Sequence, residues 1–356
     1  MPGTRAGGAG SDQLRRFRRL SDLTVLATFA LIVLGGIVRV SESGLGCGPG
    51  GSGTEGWPLC NGEAIPFFHN TEVIVEFSHR TLAAIVTALI ALLAWTAYRH
   101  LREMRWPLRL TVAAGVLVLI QAALGGLTVE QSLAEELVAA HLGLAMILIG
   151  LMLWISVRAR VELAAAEPEA AEAARSPVGA PVRGLKPFTV AAAVLLLCAI
   201  VAGGYVAGTE EEGIHGSGVN IAGAHMACGE QFPGCLNRGV APFGESRLSD
   251  IHLTHRMFVY AATLAILLLL GVAFRRGARS PLMAVGLALL VSQVLLGALN
   301  VLLEEHAALI VAHLVIATLL WSTVLLIAYT LAFSPAPVSA RSSTRGPAPS
   351  AAAAEA

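Results

Sequence analysis

The chain has 356 residues, of which 55% are hydrophobic and 13% charged, and its 24 basic and 24 acidic side chains cancel. A soluble domain carries about 25% charged residues, so most of this chain does not face water; its mean hydropathy of +0.71 says the same. Zero net charge leaves no basic footprint for a nucleic-acid partner.

Eight apolar stretches reach the roughly 20 residues needed to cross a bilayer. In chain order they are 22–40, 73–98, 109–129, 136–157, 187–208, 252–274, 281–303 and 308–333. The segment 1–21 precedes them, and its first ten residues hold no apolar run and read as unstructured. The first span is too long for the apolar core of a cleavable leader and lacks a small-residue cleavage site, so it reads as an anchor.

The basic residues alternate along the chain. Arg15, Arg16, Arg18 and Arg19 precede the first span; Arg99, Arg102, Arg105 and Arg109 follow the second. Arg158, Arg160, Arg175, Arg183 and Lys186 follow the fourth, and Arg275, Arg276 and Arg279 the sixth. The positive-inside rule assigns these to the cytoplasmic face, which puts both termini in the cytoplasm and the loops 41–72 and 209–251 outside. The outer loops hold Cys47 with Cys60 and Cys228 with Cys235, pairs that an oxidising compartment turns into disulfides. Cys198, inside the fifth span, reads as a small buried hydrophobe.

The two halves repeat. EFSHRTLAAIV at Glu76 matches HLTHRMFVYAA at His252, and QAALGGLTV at Gln121 matches QVLLGALNV at Gln293. AAHLGLAMIL around His141 matches VAHLVIATLL around His313, and the ending LGGIVRVSESG of the first span matches AGGYVAGTEEEG of the fifth. Four spans per half is an even number, so the repeats run in the same orientation. The expected architecture is an all-α integral membrane protein whose eight transmembrane helices form two pseudo-symmetric parallel four-helix bundles, 22–157 and 187–333. A cytoplasmic linker, 158–186, joins them, and a disordered cytoplasmic tail, 334–356, follows.

Four histidines stand at matching positions, His79 with His255 and His141 with His313, near the outer ends of their spans. Ionisable residues inside membrane helices are costly and mark function, and neutral imidazole ligates heme iron. A helix pair in each half can offer one nitrogen to each face of a porphyrin, as bundles build cofactor sites. The bland alternative is interhelical hydrogen bonding, which equal spacing in two halves disfavours; a zinc site needs further ligands that the repeat does not supply. Arg80 and Arg256 follow the first histidine of each half and suit heme propionates, against the alternative of snorkelling at the interface. Glu76 lies one turn before His79, and its counterpart is His252, so one half alone has a carboxylate beside its histidine, a candidate stabiliser of developing positive charge. The ordinary reading of such a Glu is a helix-start residue favouring the dipole. The cysteine pairs read as structural clips or as redox-active thiols. His69, His215, His225 and His306 read as loop residues.

Over residues 22–333 the chain resembles the heme A synthases of the cytochrome oxidase assembly family, bacterial type. The resemblance rests on GGIVRVSESGL, the loop WPLCNG, Glu76-x-x-His79-Arg80, His255-Arg256, and His141 and His313 in repeated contexts. It implies oxidation of a ring methyl of heme O to a formyl group, giving heme A for terminal oxidases. It also implies heme b in the second half, held by His255 and His313, and the substrate porphyrin in the first, near His79, His141 and Glu76. A bacterial cell membrane, heme O synthase and terminal-oxidase assembly factors are the surroundings and partners it implies; a homo-oligomer stays open. The Gly-rich stretch between Cys47 and Cys60 is longer than such relatives lead one to expect, and His252 is an extra imidazole. The rival class is a diheme b-type electron-transfer protein without substrate chemistry, which accounts for the histidines but not for Glu76. A transporter would show Gly/Pro interruptions mid-helix, and the sequence has no such pair.

Overall fold

The computed structural model describes residues 5–68, 70–166, 182, 184–209, 223–303 and 306–332. Eight long helices order it: α1 (Arg5–Val40), α2 (Thr71–His100), α3 (Arg105–Glu130), α4 (Glu135–Ala166), α5 (Lys186–Gly208), α6 (Arg247–Arg275), α7 (Pro281–Leu302) and α8 (Ala307–Ile327), which runs on through a π-helical turn at Ala328–Ala332. Each is long and apolar enough to cross a membrane. In a bilayer every backbone polar group must be satisfied within the segment, which a helix does. The chain is an all-helical, multi-pass membrane protein.

Polar caps carry several helices beyond their apolar runs. Asn70 Oδ1 accepts the Val73 N–H at 2.8 Å and starts α2 at Thr71. Ser246 and Ser249 cap each other reciprocally and start α6 at Arg247, more than a turn before the apolar stretch, as a capping box does. Ser280 Oγ accepts the Leu282 N–H, and Pro281 fills the first position of α7, where its missing N–H costs nothing. The first ten residues depart from expectation, because α1 begins at Arg5. Extending an existing helix costs far less than nucleating one. Likewise α4 carries on to Ala166, into the segment expected to link the halves. Most of that linker and the tail 334–356 lie outside the described residues.

In the first half α1 packs on α2 and α4, and α3 packs on the same two, closing a ring. In the second half α5 packs on α6 and α8, and α7 packs on α8 but touches α6 only lightly. The halves meet through α1, α4, α5 and α8. One buried cluster lies within the first half, around Phe17, Ile90, Leu93, Met152 and Ile155. The larger one crosses the seam, joining Met146 and Ile149 to Leu196, Ile266, Leu320 and Trp321.

Lipid tails remove the hydrophobic drive between helices, so close packing and hydrogen bonds at about 0.6–2 kcal/mol each hold such a seam. Trp321 Nε1–H donates to Met146 O at 2.8 Å, and Tyr329 O–H donates to Gly150 O at 3.1 Å. Arg39 on α1 donates twice to Ala207 O on α5, at 2.9 and 2.6 Å. Gly36 lies so near Leu314 that a side chain at position 36 would collide with it.

Candidate functional site

All four histidines occupy the first three turns of their helices, His79 on α2, His141 on α4, His255 on α6 and His313 on α8. In each ring of helices the two bearing histidine are set diagonally, and the two imidazoles of a half lie within electrostatic range of each other. His255 Nδ1–H donates to Ala199 O on α5 at 2.9 Å. The Nδ1 atoms of His79, His141 and His313 are buried and have no hydrogen-bond partner among the described residues. A buried polar atom left unpaired costs roughly 1–3 kcal/mol, so three at matching places mark a site shaped for something further. The described residues hold no group of three or more His, Cys, Asp or Glu side chains able to enclose an ion. Two imidazoles within range of each other suit a metal whose other positions are filled by its own ring, as in a porphyrin.

Two glutamines join this site that the sequence marked only as repeat signposts. Gln121 Nε2–H donates to the backbone oxygen of His141 at 2.9 Å, while Gln293 reaches His313 Nε2 itself at 3.0 Å. Both Oε1 atoms are buried and unpartnered among the described residues.

The arginines are engaged with the loops that carry the cysteine pairs. Arg80 Nη1 donates to Gly56 O and Leu59 O at 2.7 and 2.8 Å, and its Nη2 pairs with Glu76 Oε1. Arg256 Nη1 and Nη2 donate to Gly234 O and Gln231 O at 2.7 and 2.8 Å, with Phe232 against its guanidinium. The loops they grip are each closed by a disulfide, Cys47–Cys60 and Cys228–Cys235. Each guanidinium thus ties the helix of the first histidine to the loop above it, a contact with loop carbonyls that no side-chain pattern announces.

Glu76 is buried, 3% exposed, and its second oxygen accepts the Cys47 N–H at 2.7 Å. It is therefore more than a dipole-favouring helix-start residue, since it fastens the loop and sits one turn from His79. His252, at the matching place, is equally buried and its Nδ1–H donates to Ala224 O at 2.7 Å. His225 lies in the loop before α6, which folds its ring into range of Arg39, His255 and His313; burial, with those neighbours, pulls its pKa down to about 4. His306 stands exposed before α8, and His69 and His215 lie outside the described residues. Cys198 is free and half-buried in α5.

Three of the relatives that match this chain share one name. A protein named heme A synthase from Alkalihalophilus pseudofirmus is 28% identical over 222 residues, covering 62% of this chain and 67% of that one. Its namesake from Geobacillus kaustophilus is 31% identical over 136 residues, covering 37% and 40%, and that from Bacillus mycoides is 33% identical over 138 residues, covering 38% and 42%. The chain therefore spans about two thirds of the first relative and two fifths of the other two. The profile of the family described as cytochrome oxidase assembly protein matches residues 18–325. With eight spanning helices and the four histidines matched between the repeats, the chain belongs to the cytochrome oxidase assembly protein family.

Proposed function

We propose that the chain is a heme A synthase, an oxidoreductase that converts a methyl group of heme O to a formyl group. The observation that carries the reading is a pair of diagonal histidines in each half with a carboxylate beside only one of them. The first half, 22–157, takes heme O as substrate between His79 and His141. The second half, 187–333, takes heme b between His255 and His313. The residues fit such groups: the imidazoles are half-buried, three buried Nδ1 atoms lack partners among the described residues, and His255 is already oriented by Ala199 O. Heme b, when bound, supplies one-electron transfer. The basic segments support a bacterial membrane topology with both termini in the cytoplasm and the disulfide loops outside.

Glu76 is the catalytic candidate. Oxidising a methyl to a formyl group passes two electron pairs to an external electron acceptor, takes up oxygen from water or dioxygen and ends with loss of water, and removal of hydrogen from the methyl develops positive character at the carbon. A fixed carboxylate stabilises that charge more in the transition state than in the ground state, an effect on the order of 3–4 kcal/mol for a single electrostatic group. The Cys47 N–H and the Arg80 guanidinium hold the carboxylate in place, so little reorganisation is needed. Arg80 and Arg256 keep the loops down over the two sites, and their remaining donors are the candidates for propionates.

Extraction of pigments from the purified chain tests the reading. Heme O or heme A beside heme b is the expected result. Heme b alone, with no heme A made by cells expressing the chain, would sink it in favour of a diheme electron carrier.

A further inference from the structure

The Gly-rich helix endings recur four times, and the histidine sites explain why. A Cβ built on Gly35 of α1 would stand 3.1 Å from His79 Cε1, and one on Gly125 of α3 would stand 3.0 Å from His141 Cε1. On Gly203 of α5 it would stand 2.9 Å from His255 Cε1, and on Gly297 of α7 it would stand 3.2 Å from His313 Cε1. In every case Cε1 is the nearest atom and the ring nitrogens lie farther off. Each imidazole thus meets the preceding helix with the same vertex, the carbon between its nitrogens, and meets it at a residue without a side chain. The four contacts come from four different helix pairs.

One of the four shows the completed arrangement. Ala199, whose carbonyl accepts the His255 Nδ1–H at 2.9 Å, lies one turn before Gly203 on the same face of α5. The glycine admits the ring, the carbonyl one turn earlier takes Nδ1–H, and Nε2 is left for a metal. One turn before Gly125 and Gly297 stand Gln121 and Gln293, the two side chains that reach His141 and His313. The packing alternative is a set of glycines that only bring helices together. That role falls to neighbours such as Gly36 and Gly204, which face Leu314 and Leu142 rather than an imidazole.

We propose that Gly35, Gly125, Gly203 and Gly297 are positioning residues, backbone seats that fix the orientation of the four imidazoles toward the iron. This rests on the histidine pairs being porphyrin ligands. An alanine at a seat must push the ring by a few tenths of an ångström or more, tilting it against the porphyrin.

The full-length chain is purified with its hemes, and Gly203→Ala and Gly297→Ala are compared with Gly271→Ala, a mid-helix position where an added Cβ meets nothing within 4 Å. The readouts are heme per folded chain, the low-spin electron paramagnetic resonance g-values and the midpoint potential. The expected result is shifted g-values and potential, or a heme affinity lowered about 10-fold or more, with Gly271→Ala matching the parent. Parent g-values, potential and affinity in both seat variants would overturn the inference. So would loss of folded protein at the seats, which would make them packing glycines. His255→Ala runs beside them: full heme retention there defeats the ligand reading itself, whereas heme loss there with a parent-like Gly203→Ala defeats only the seats.

Discussion

The same helical turn fastens the outer loop in both halves, but with opposite polarity. In the first half the Glu76 carboxylate accepts a loop N–H, from Cys47; in the second the His252 imidazole donates to a loop carbonyl, of Ala224. Arg80 and Arg256, four residues further along, grip loop carbonyls in both. The fastening is therefore common to both halves and does not explain the difference between them. What differs is a carboxylate, ion-paired with Arg80, one turn before His79, where the second half has the His252 imidazole. Two copies that share an architecture can divide the work between them by changing one side chain that each already holds in place.

The largest effect that would break this comparison is loss of a ligand. His255→Ala or His313→Ala should remove the heme b absorbance, while His79→Ala should keep it and stop heme A production; spectra and pigment extraction check both. Next is Glu76→Gln, which keeps an oxygen for the Cys47 N–H and removes the charge. Heme A output should fall by about 10²-fold with the heme b spectrum intact, and near-normal output at normal abundance would make the carboxylate a fastener only. The disulfides come third. Replacing Cys47 and Cys60 by Ser opens a loop with sequence separation 13, and replacing Cys228 and Cys235 opens one with separation 7. Chain entropy gives losses of about 3 and about 2 kcal/mol, so melting should fall further for the first pair.

A pH test separates the loops again. His225, three residues before its loop's first cysteine, has Gly44 as its counterpart, so only the second half titrates there. Its folded pKa of about 4 lies below the ordinary 6.5, so the unfolded chain binds more protons between those values. Stability from this group is fully present above pH 6.5 and is lost as pH falls toward 4. The effect is on the order of 2 kcal/mol, allowing for a ring that is only partly buried. Between pH 7.5 and 5 the parent should lose more melting temperature than His225→Asn; equal losses would count against the buried neutral ring. The smallest effect belongs to Arg247→Ala. Its pairing with Glu135 joins α6 to α4 across the seam at an exposed position, and exposed pairs contribute little, so melting should not change measurably.

The eight spans were readable because a bilayer demands long apolar runs whatever the tertiary context. Their ends were less so, since Asn70 and Ser246 lengthen helices through caps that an apolar window does not register. Repetition singled out the four histidines. The partners of Arg80, Arg256 and Glu76 could not be read, because backbone N–H and C=O groups are present at every residue and carry no sequence signature. His225 is a loop residue, as its sequence position says, but its neighbours could not be read for a related reason: the fold of the loop, not its local sequence, brings the ring into range of His255 and His313. Gly125 and Gly297 were visible only as members of a repeat, since their meaning depends on which helix lies next to them.

The seam between the halves also sets an order in time. Gly36 on α1 meets Leu314 on α8, at a sequence separation of 278. At about 5–20 residues per second, a ribosome needs roughly 14 to 56 s to deliver the second partner after the first. Throughout that interval the first helix has its Gly36 face turned to lipid or to a temporary neighbour. Arg39 meanwhile waits for Ala207. Completion of the seam thus waits on synthesis of the second half.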